Sequence, residues 1–358
     1  MVTPRSPLLE GGVERHVAEV SRRIAASGAE VEVLCGEPGG PKLQERSLND
    51  VPLRIVRAWP ANRDYYLAPG IWREIGRRRW DVVHVQSYHT LMAPLAMLRA
   101  LSLRIPYVVT FHGGGNTSGV RNRLRPLQRI LMRPLLARAA RLVAVARFEV
   151  EQYGAELRLP PERFALIPNG TDLAFSETAA AAQPAGPPTI ATIGRLERYK
   201  GHHRVIAAFP TVLEKEPEAK LLVVGTGPYE PELRRQAAEL GIAERVEFTS
   251  TPAGDPGAMA SLLQGVSLVV LMSEFETHPL VALESAAAGR RLLVADAGGL
   301  AELAEDGFAR AIPLGRPAAA LGEAILEELS KPPGGRRPQL ASWDECAAEL
   351  LELYRSIA

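Results

Sequence analysis

The sequence predicts an α/β protein made of two doubly wound domains of parallel sheet that face each other across a cleft. Three observations predict it. Short apolar runs of strand length alternate with helical stretches along the whole chain, the signature of βαβ units. An uncharged stretch, Thr178–Pro188, with three prolines interrupts that alternation, which then restarts. At 358 residues the chain exceeds what one ordinary hydrophobic core organises. The expected division is a first domain at 1–176, a linker at 177–188, a second domain at 189–341 and a closing helix at 342–358.

Only Val2-Thr3 precede the turn Pro4–Gly12, too little for a full first strand: either the sheet lacks most of a central strand or, the favoured reading, the natural chain begins upstream of Met1. Val13–Ser27 reads as a helix, with Val13, Val17, Val20 and Ile24 recurring on one face and Gly28 as its stop. Strands are expected at Val31–Leu34, Leu53–Val56, Val82–Gln86, Tyr107–Phe111, Arg141–Ala144 and Phe164–Ile167. Beyond the linker come strand Thr189–Ile193, helix His203–Lys215, and strands Lys220–Val224, Val246–Thr249, Leu268–Met272, Leu292–Ala295 and one around Ala311–Pro313. Leu280–Ala288 reads as a helix with Pro279 in its first turn and Gly289 closing it. The last helix, Ser342–Ser356, is expected to pack back on the first domain.

Composition is that of a globular protein, 46% hydrophobic and 23% charged, with no apolar run long enough to span a bilayer. No secretory signal is read, and Cys35 and Cys346 lie far apart without metal-ligand spacing, so a cytoplasmic protein with reduced thiols is expected. The net charge of +1 conceals an asymmetry: 25 Lys and Arg face 16 Asp and Glu through residue 172, and 17 face 25 after it. Residues 82–148 hold ten arginines and no acidic residue, eight of them between Arg121 and Arg147. Leu124, Leu127, Leu131, Leu135 and Leu136 interleave with these at helical spacing. Such a face suits an anionic acceptor or peripheral contact with an anionic membrane, although a solvated helix gives the same pattern. No nucleic-acid partner is expected.

Two segments carry the chemistry. In Gly194-Arg195-Leu196-Glu197-Arg198-Tyr199-Lys200-Gly201, two cations stand where a strand turns into a helix. A diphosphate wants that combination: Arg offers a planar fork, Lys a point charge, and a helix start its free amides and positive dipole end. Further on, Glu276 precedes a helix and Glu284 lies inside it, about 7.5 Å along the axis from Pro279 at ~1.5 Å per residue. Two carboxylates so spaced suit two hydroxyl-bearing groups, such as a sugar and a ribose. Gly11-Gly12 and Gly225-Thr226-Gly227 also lie at strand-to-helix turns, where glycine lets amides approach a phosphate or base, though any tight turn wants glycine. His112, after a β-like run and before three glycines, is expected to face the cleft. Taken singly, each feature has an ordinary reading as surface charge or turn. No Walker lysine, zinc spacing or nucleophile elbow occurs, and neither metal nor cofactor is expected.

In this order and spacing the segments resemble the family-4, or group 1, retaining glycosyltransferases of the two-Rossmann-domain B-type architecture. The resemblance runs from Gly11-Gly12-Val13-Glu14-Arg15 to the final Ser342-Trp343 helix. It rests on the Gly-Arg-x₄-Lys-Gly segment and on Glu276-Thr-His-Pro-Leu-Val-Ala-Leu-Glu284. Supporting signs are Ile167-Pro168-Asn169-Gly170-Thr171-Asp172, Val224–Pro228 and Gly298-Gly299-Leu300-Ala301-Glu302-Leu303. It implies that Arg195 and Lys200 hold the diphosphate of a nucleotide-sugar donor, helped by Gly12. Glu284 would bind the ribose and Glu276 the transferred sugar, with His278 and Leu280 of the same segment as further donor contacts. His112 would stand at the reacting centre, and the backbone near Glu247-Phe248 would meet the nucleobase. It also implies metal-free transfer with retention, an acceptor held by the first domain, and a UDP- or GDP-linked donor. The family commonly has Gly where Pro279 stands here, a difference that bears on which sugar is taken. A non-catalytic nucleotide-sugar-binding subunit and a sugar-nucleotide isomerase or phosphorylase are the rival readings.

Overall fold

In the first half, one sheet collects β1 (Val2–Thr3), β2 (Val33–Pro38), β3 (Leu43–Leu48), β4 (Val51–Ala58), β5 (Val83–Gln86), β6 (Tyr107–Thr110), β7 (Arg141–Ala144) and β8 (Phe164–Leu166). Their spatial order is β3-β4-β2-β1-β5-β6-β7-β8. This is a computed structural model, and it describes residues 1–9, 11–60, 66–113, 119–171, 186–251, 256–332 and 338–358, with the backbone alone at 119–125 and 256. Most of the linker, 177–185, lies outside the described residues. The described chain forms two units: one of Met1–Gly113, Ser118–Gly170 and Ala341–Ala358, the other built on Thr171–Leu340.

Short as it is, β1 holds the central place in its sheet. Val2 lies opposite both Leu34 and Val85, and Thr3 opposite Cys35. Of its two residues, Val2 pairs on both sides and Thr3 on one. Strand β3 escaped the sequence reading because Leu43–Leu48 is mostly polar, as an edge strand can be. It runs antiparallel to β4 through Asn49-Asp50, both at positive φ (47° and 68°), the conformation a two-residue hairpin turn requires. Helices α1 (Gly12–Ala26), α2 (Gly70–Ile75), α3 (Met92–Ser102), α4 (Gly119–Leu136) and α5 (Arg147–Leu157) cover the sheet. The predicted face of α1 is the buried one, with Val17, Val20 and Ile24 inside. Gly28, at φ 90°, donates its amide to Ala25 O and ends the helix.

The C-terminal helix, Trp343–Arg355, belongs to this same unit and packs on α1. Ser342 and Glu345 close a capping box at its start. Trp343 is fully buried, and the backbone of Gly170 lies so close that a Cβ there would stand 2.3 Å from Trp343 N. The backbone beside Trp343 thus requires glycine at 170.

The second unit holds β9 (Thr189–Ile193), β10 (Lys220–Val224), β11 (Val246–Thr249), β12 (Leu268–Leu271), β13 (Arg291–Ala295) and β14 (Arg310–Ile312), all parallel. The order β11-β10-β9-β12-β13-β14 reverses direction between β9 and β12, the switch point where such sheets bind ligands beyond the strands' carboxyl ends. Helices α6 (His202–Leu213), α7 (Glu230–Glu239), α8 (Pro256–Gln264), α9 (Leu280–Ala287) and α10 (Gly298–Glu305) connect the strands, and α11 (Ala318–Leu329) follows β14 and packs on α6. Burial on both faces explains the unbroken apolar runs: Leu268, Val269 and Val270 are wholly inaccessible. Among the described residues no helix is long and apolar enough to cross a membrane.

Candidate active site

At the switch point of the second unit, the exits of β9 and β12 bring a lysine and a glutamate together. After β9 the chain runs through Gly194–Gly201, ending in a single 3-10 turn over Arg198–Lys200, and enters α6. After β12 it passes Ser273 and Glu276 before entering α9. Lys200 Nζ stands 2.6 Å from Glu276 Oε1, and the Ser273 hydroxyl donates to that same oxygen at 2.8 Å. Both partners are mostly buried, with 17% and 20% of the side chain exposed. Burial by itself would lower the Lys200 ammonium, but the adjoining Glu276 carboxylate and the neighbouring Tyr199 outweigh it, and the net shift is upward. Lys200 is therefore a fixed cation at neutral pH.

Backbone contacts hold this pair in place. Glu274 donates its amide to Tyr199 O at 2.8 Å, joining the two loops directly. Gly201 sits at φ 76°, and a Cβ there would lie 1.9 Å from Met272 O, so only glycine lets the loops approach. On the far side, Leu196 donates to Thr226 O and Tyr229 donates to Leu196 O, each at 2.9 Å. A Cβ at Gly225 would meet Gly194 O at 2.0 Å, and one at Gly227 would meet Leu196 O at 2.4 Å. The glycines of the Gly225-Thr226-Gly227 turn are thus required by the loop packed against them, the ordinary tight-turn reading of that segment. Gly299, at the start of α10, donates to Glu276 O at 2.8 Å and anchors the carboxylate's own backbone.

Arg195 takes a looser position. Its guanidinium lies 2.7 Å from Glu197 Oε1 and donates to the Tyr199 hydroxyl at 2.8 Å, with the side chain about half exposed. His202, one residue ahead of the predicted helix start, is 1% exposed and escaped the sequence reading. A carbonyl can only accept, so the 3.2 Å contact with Arg195 O places the proton on Nε2. Nδ1 then accepts from Thr192 Oγ1 at 3.0 Å. Burial lowers His202 to about 4, and the imidazole is neutral at physiological pH.

Glu284 is buried within α9. Pro279 stands one place ahead of α9, at φ −77° and ψ 81°, and not in the first turn as expected. Leu280 opens the helix and donates its amide to the carbonyl of His278, itself partly buried. Glu247 and Phe248 lie inside edge strand β11, with Arg234 stacked 4.3 Å over the Phe248 ring. Because β10 separates β11 from β9, the fold does not bring these two beside the Lys200–Glu276 pair.

In the first unit, Gly12 opens α1, and beyond its chain neighbours and the helix's own backbone no described atom lies within 4 Å of where its Cβ would be. His112, 7% exposed at the exit of β6, has φ 42° and meets Gln86 Oε1 through Nε2 at 2.7 Å. Its ring packs edge-on against His16, centroids 4.7 Å apart, and His16 Nδ1 meets Asn169 Oδ1 at 2.7 Å. His16 and Gln86 were not singled out from sequence, since a lone polar residue on a helix or strand carries no spacing signal, and Asn169 was noted only as part of the Ile167–Asp172 segment. Of the arginine run, Arg121, Arg123 and Arg125, with Leu124, lie outside the described side chains. The described part of α4 exposes Leu127, Ile130 and Leu131.

Comparison with known proteins supplies the family. The Glycosyltransferase Family 4 model matches residues 10–175 and the Glycosyl transferases group 1 model matches 176–345. A D-inositol 3-phosphate glycosyltransferase from Nocardia farcinica is 30% identical over 96% of this chain and 84% of its own. The chain belongs to the family-4, group 1 glycosyltransferases. A glycogen synthase from Mycobacterium tuberculosis is 29% identical over 97% of the chain and 92% of that protein. Among solved structures, sucrose-phosphate synthase from Thermosynechococcus elongatus aligns over 99% of this glycosyltransferase and 98% of its own chain, with TM-score 0.73 at 21% identity. Anabaena Alr3699/HepE, solved in complex with UDP and glucose, aligns over 99% and 96% with TM-score 0.69 at 17% identity. The glycosyltransferase therefore has the GT-B type of α/β fold.

Proposed function

We propose that this glycosyltransferase moves a sugar from a UDP- or GDP-linked donor to a hydroxyl acceptor, with retention and without a metal. The observation that carries the reading is the Lys200–Glu276 pair at the β9/β12 switch point, a buried cation and a carboxylate set side by side. As the donor's bond breaks, the departing diphosphate gains negative charge. Lys200, Arg195 and the positive end of α6 are preorganised to stabilise that gain. Glu276 then exchanges Lys200 for hydroxyls of the transferred sugar, so one ion pair becomes two charge-assisted contacts. Glu284 takes the ribose, with His278, Leu280 and Gly12 as further donor contacts. His112 acts at the transferred sugar. The UDP bound by the structural neighbour Alr3699/HepE supports a uridine donor.

The acceptor in this proposal is anionic or lipid-linked and docks on the basic first unit. Support comes from the charge asymmetry and from two relatives: the inositol-phosphate enzyme above and a phosphatidyl-myo-inositol mannosyltransferase from Mycobacterium leprae, 27% identical over the whole chain. Peripheral contact with an anionic membrane at its cytoplasmic face goes with this reading. Leu127, Ile130 and Leu131 are 55%, 69% and 64% exposed, one turn apart and interleaved with Arg129 and Arg133.

The test is direct. A thermal-shift panel of UDP- and GDP-sugars identifies the donor, since a ligand of the folded state raises apparent stability. Glu276→Ala and Lys200→Ala should each lower turnover at least about 100-fold, the scale for one preorganised electrostatic contact, while the fold is kept. Wild-type turnover in both variants refutes the site. Binding of UDP-sugar with no release of UDP in the presence of acceptor extracts would instead favour a non-catalytic subunit.

A further inference from the structure

His112 occupies a backbone conformation that a side chain with a Cβ seldom adopts, φ 42°, and two buried side chains outside the proposed chemistry hold it there. One is Glu149, wholly inaccessible in the first turn of α5. Its Oε1 accepts the amide of Gly113 at 3.2 Å, and its Oε2 accepts that of Val145 at 2.9 Å. The carboxylate thus ties the turn that follows His112 to the exit of β7. The other is Gln86, 1% exposed at the end of β5, whose Oε1 meets His112 Nε2 at 2.7 Å.

Gln86 is itself held from behind. Its amide nitrogen lies 3.3 and 3.4 Å from the two ring nitrogens of His84. His84 Nε2 meets Thr110 Oγ1 at 2.7 Å, and its Nδ1 meets the Tyr354 hydroxyl of the C-terminal helix. Burial keeps His84 well below its ordinary pKa and lowers His16 to about 4. The two imidazoles flanking this arrangement are therefore neutral at physiological pH: His16 packs its ring edge-on against His112, and Gln86 meets His112 Nε2 with its amide oxygen.

We propose that Gln86 and Glu149 are positioning residues for His112: Gln86 sets the ring's plane and its Nε2–H tautomer, and Glu149 fixes the left-handed turn that carries it. The proposal rests on the reading of His112 as a residue at the reacting centre. An amide oxygen only accepts, so it selects the tautomer with hydrogen on Nε2 and makes Nδ1 the ring's acceptor. A carboxylate accepting two backbone amides holds the turn in the absence of donor.

Ring nitrogen NMR on the full chain labelled with ¹⁵N-histidine tests the Gln86 half, with the His112 signals identified by their loss in His112→Asn. The wild type should show His112 in the Nε2–H form at neutral pH. Gln86→Met, close in volume and without the acceptor, should shift it toward a mixture and lower UDP release from UDP-glucose about 10- to 100-fold, with KM changed less than threefold. A wild-type Nδ1–H form overturns the proposal even if the variant does not fold, and so does an unchanged tautomer in folded Gln86→Met. A shifted tautomer with wild-type turnover supports the tautomer-setting role and refutes the reading of His112 on which the proposal rests. For Glu149, hydrogen exchange at the Gly113 amide should be slow in the wild type and at least tenfold faster in Glu149→Gln. Fast exchange in the wild type, or no change in the variant, overturns that half.

Discussion

His202 makes the loop of Lys200 sensitive to acid, by an amount that the structure allows to be worked out. The imidazole is 1% exposed, donates to Arg195 O and accepts from Thr192, so both ring nitrogens serve the neutral form. Its folded pKa is lowered to about 4 from an ordinary 6.5. A base with a depressed folded pKa contributes stability that is complete above the unfolded value and is lost as pH falls toward the folded one. Here the window runs from 6.5 down to 4. At ~1.4 kcal/mol per unit the full loss is about 3 kcal/mol, and at pH 5 it is about 2 kcal/mol. Buried His16 is likewise lowered to about 4, so the measurement is a difference of differences. Wild type and His202→Gln are unfolded in urea at pH 7.5 and at pH 5.0, and the stability gap between them is compared. The gap should shrink by about 2 kcal/mol on acidification, because the variant has no imidazole to protonate. An equal gap at both pH values refutes the account of His202 as a neutral anchor of the Arg195 carbonyl.

The remaining expectations concern the loops and the surface. Gly201→Ala places a methyl 1.9 Å from Met272 O at a φ of 76°, so it should lower stability by at least about 2 kcal/mol in urea and separate Lys200 from Glu276. An unchanged unfolding midpoint would contradict the close-approach argument. Replacing Ile130 and Leu131 together by glutamate should leave the melting temperature within about 2 °C, since both are well exposed. The same change should abolish co-flotation with vesicles rich in phosphatidylglycerol. Undiminished flotation would remove α4 as the membrane contact.

Much of the second unit was legible in the sequence, and the reason is burial. A parallel strand covered on both faces is largely apolar, so Thr189–Ile193 and Lys220–Val224 are delimited residue for residue. Glycines that end helices were equally readable: Gly28 and Gly289 stand at positive φ, as their place required. What escaped notice was polar and local. Strand β3 has little apolar content to announce it, and its turn, Asn49-Asp50, was the only local signal. His202 was lost by one residue at a helix boundary, where sequence patterns resolve least.

The site divides along similar lines. Two cations and two carboxylates stand at recognisable spacing beside strand-to-helix turns, so Arg195, Lys200, Glu276 and Glu284 could be named as candidates from sequence. The family resemblance assigned Lys200 and Glu276 to separate groups of a ligand, and the fold adds that the two pair with each other at 2.6 Å. Two readings are open for the glycines at 225 and 227, and the structure supplies a close neighbouring backbone. The constellation around His112 draws on β5, β6, α5 and the C-terminal helix, segments up to 270 residues apart, and it could not be read in advance. Sequence by itself determined which segments are buried and which chemistry is present, because hydrophobic period and residue type are local properties. Only the tertiary structure decided which charges neutralise each other and which amide holds which ring, because those contacts depend on distances that chain order does not encode.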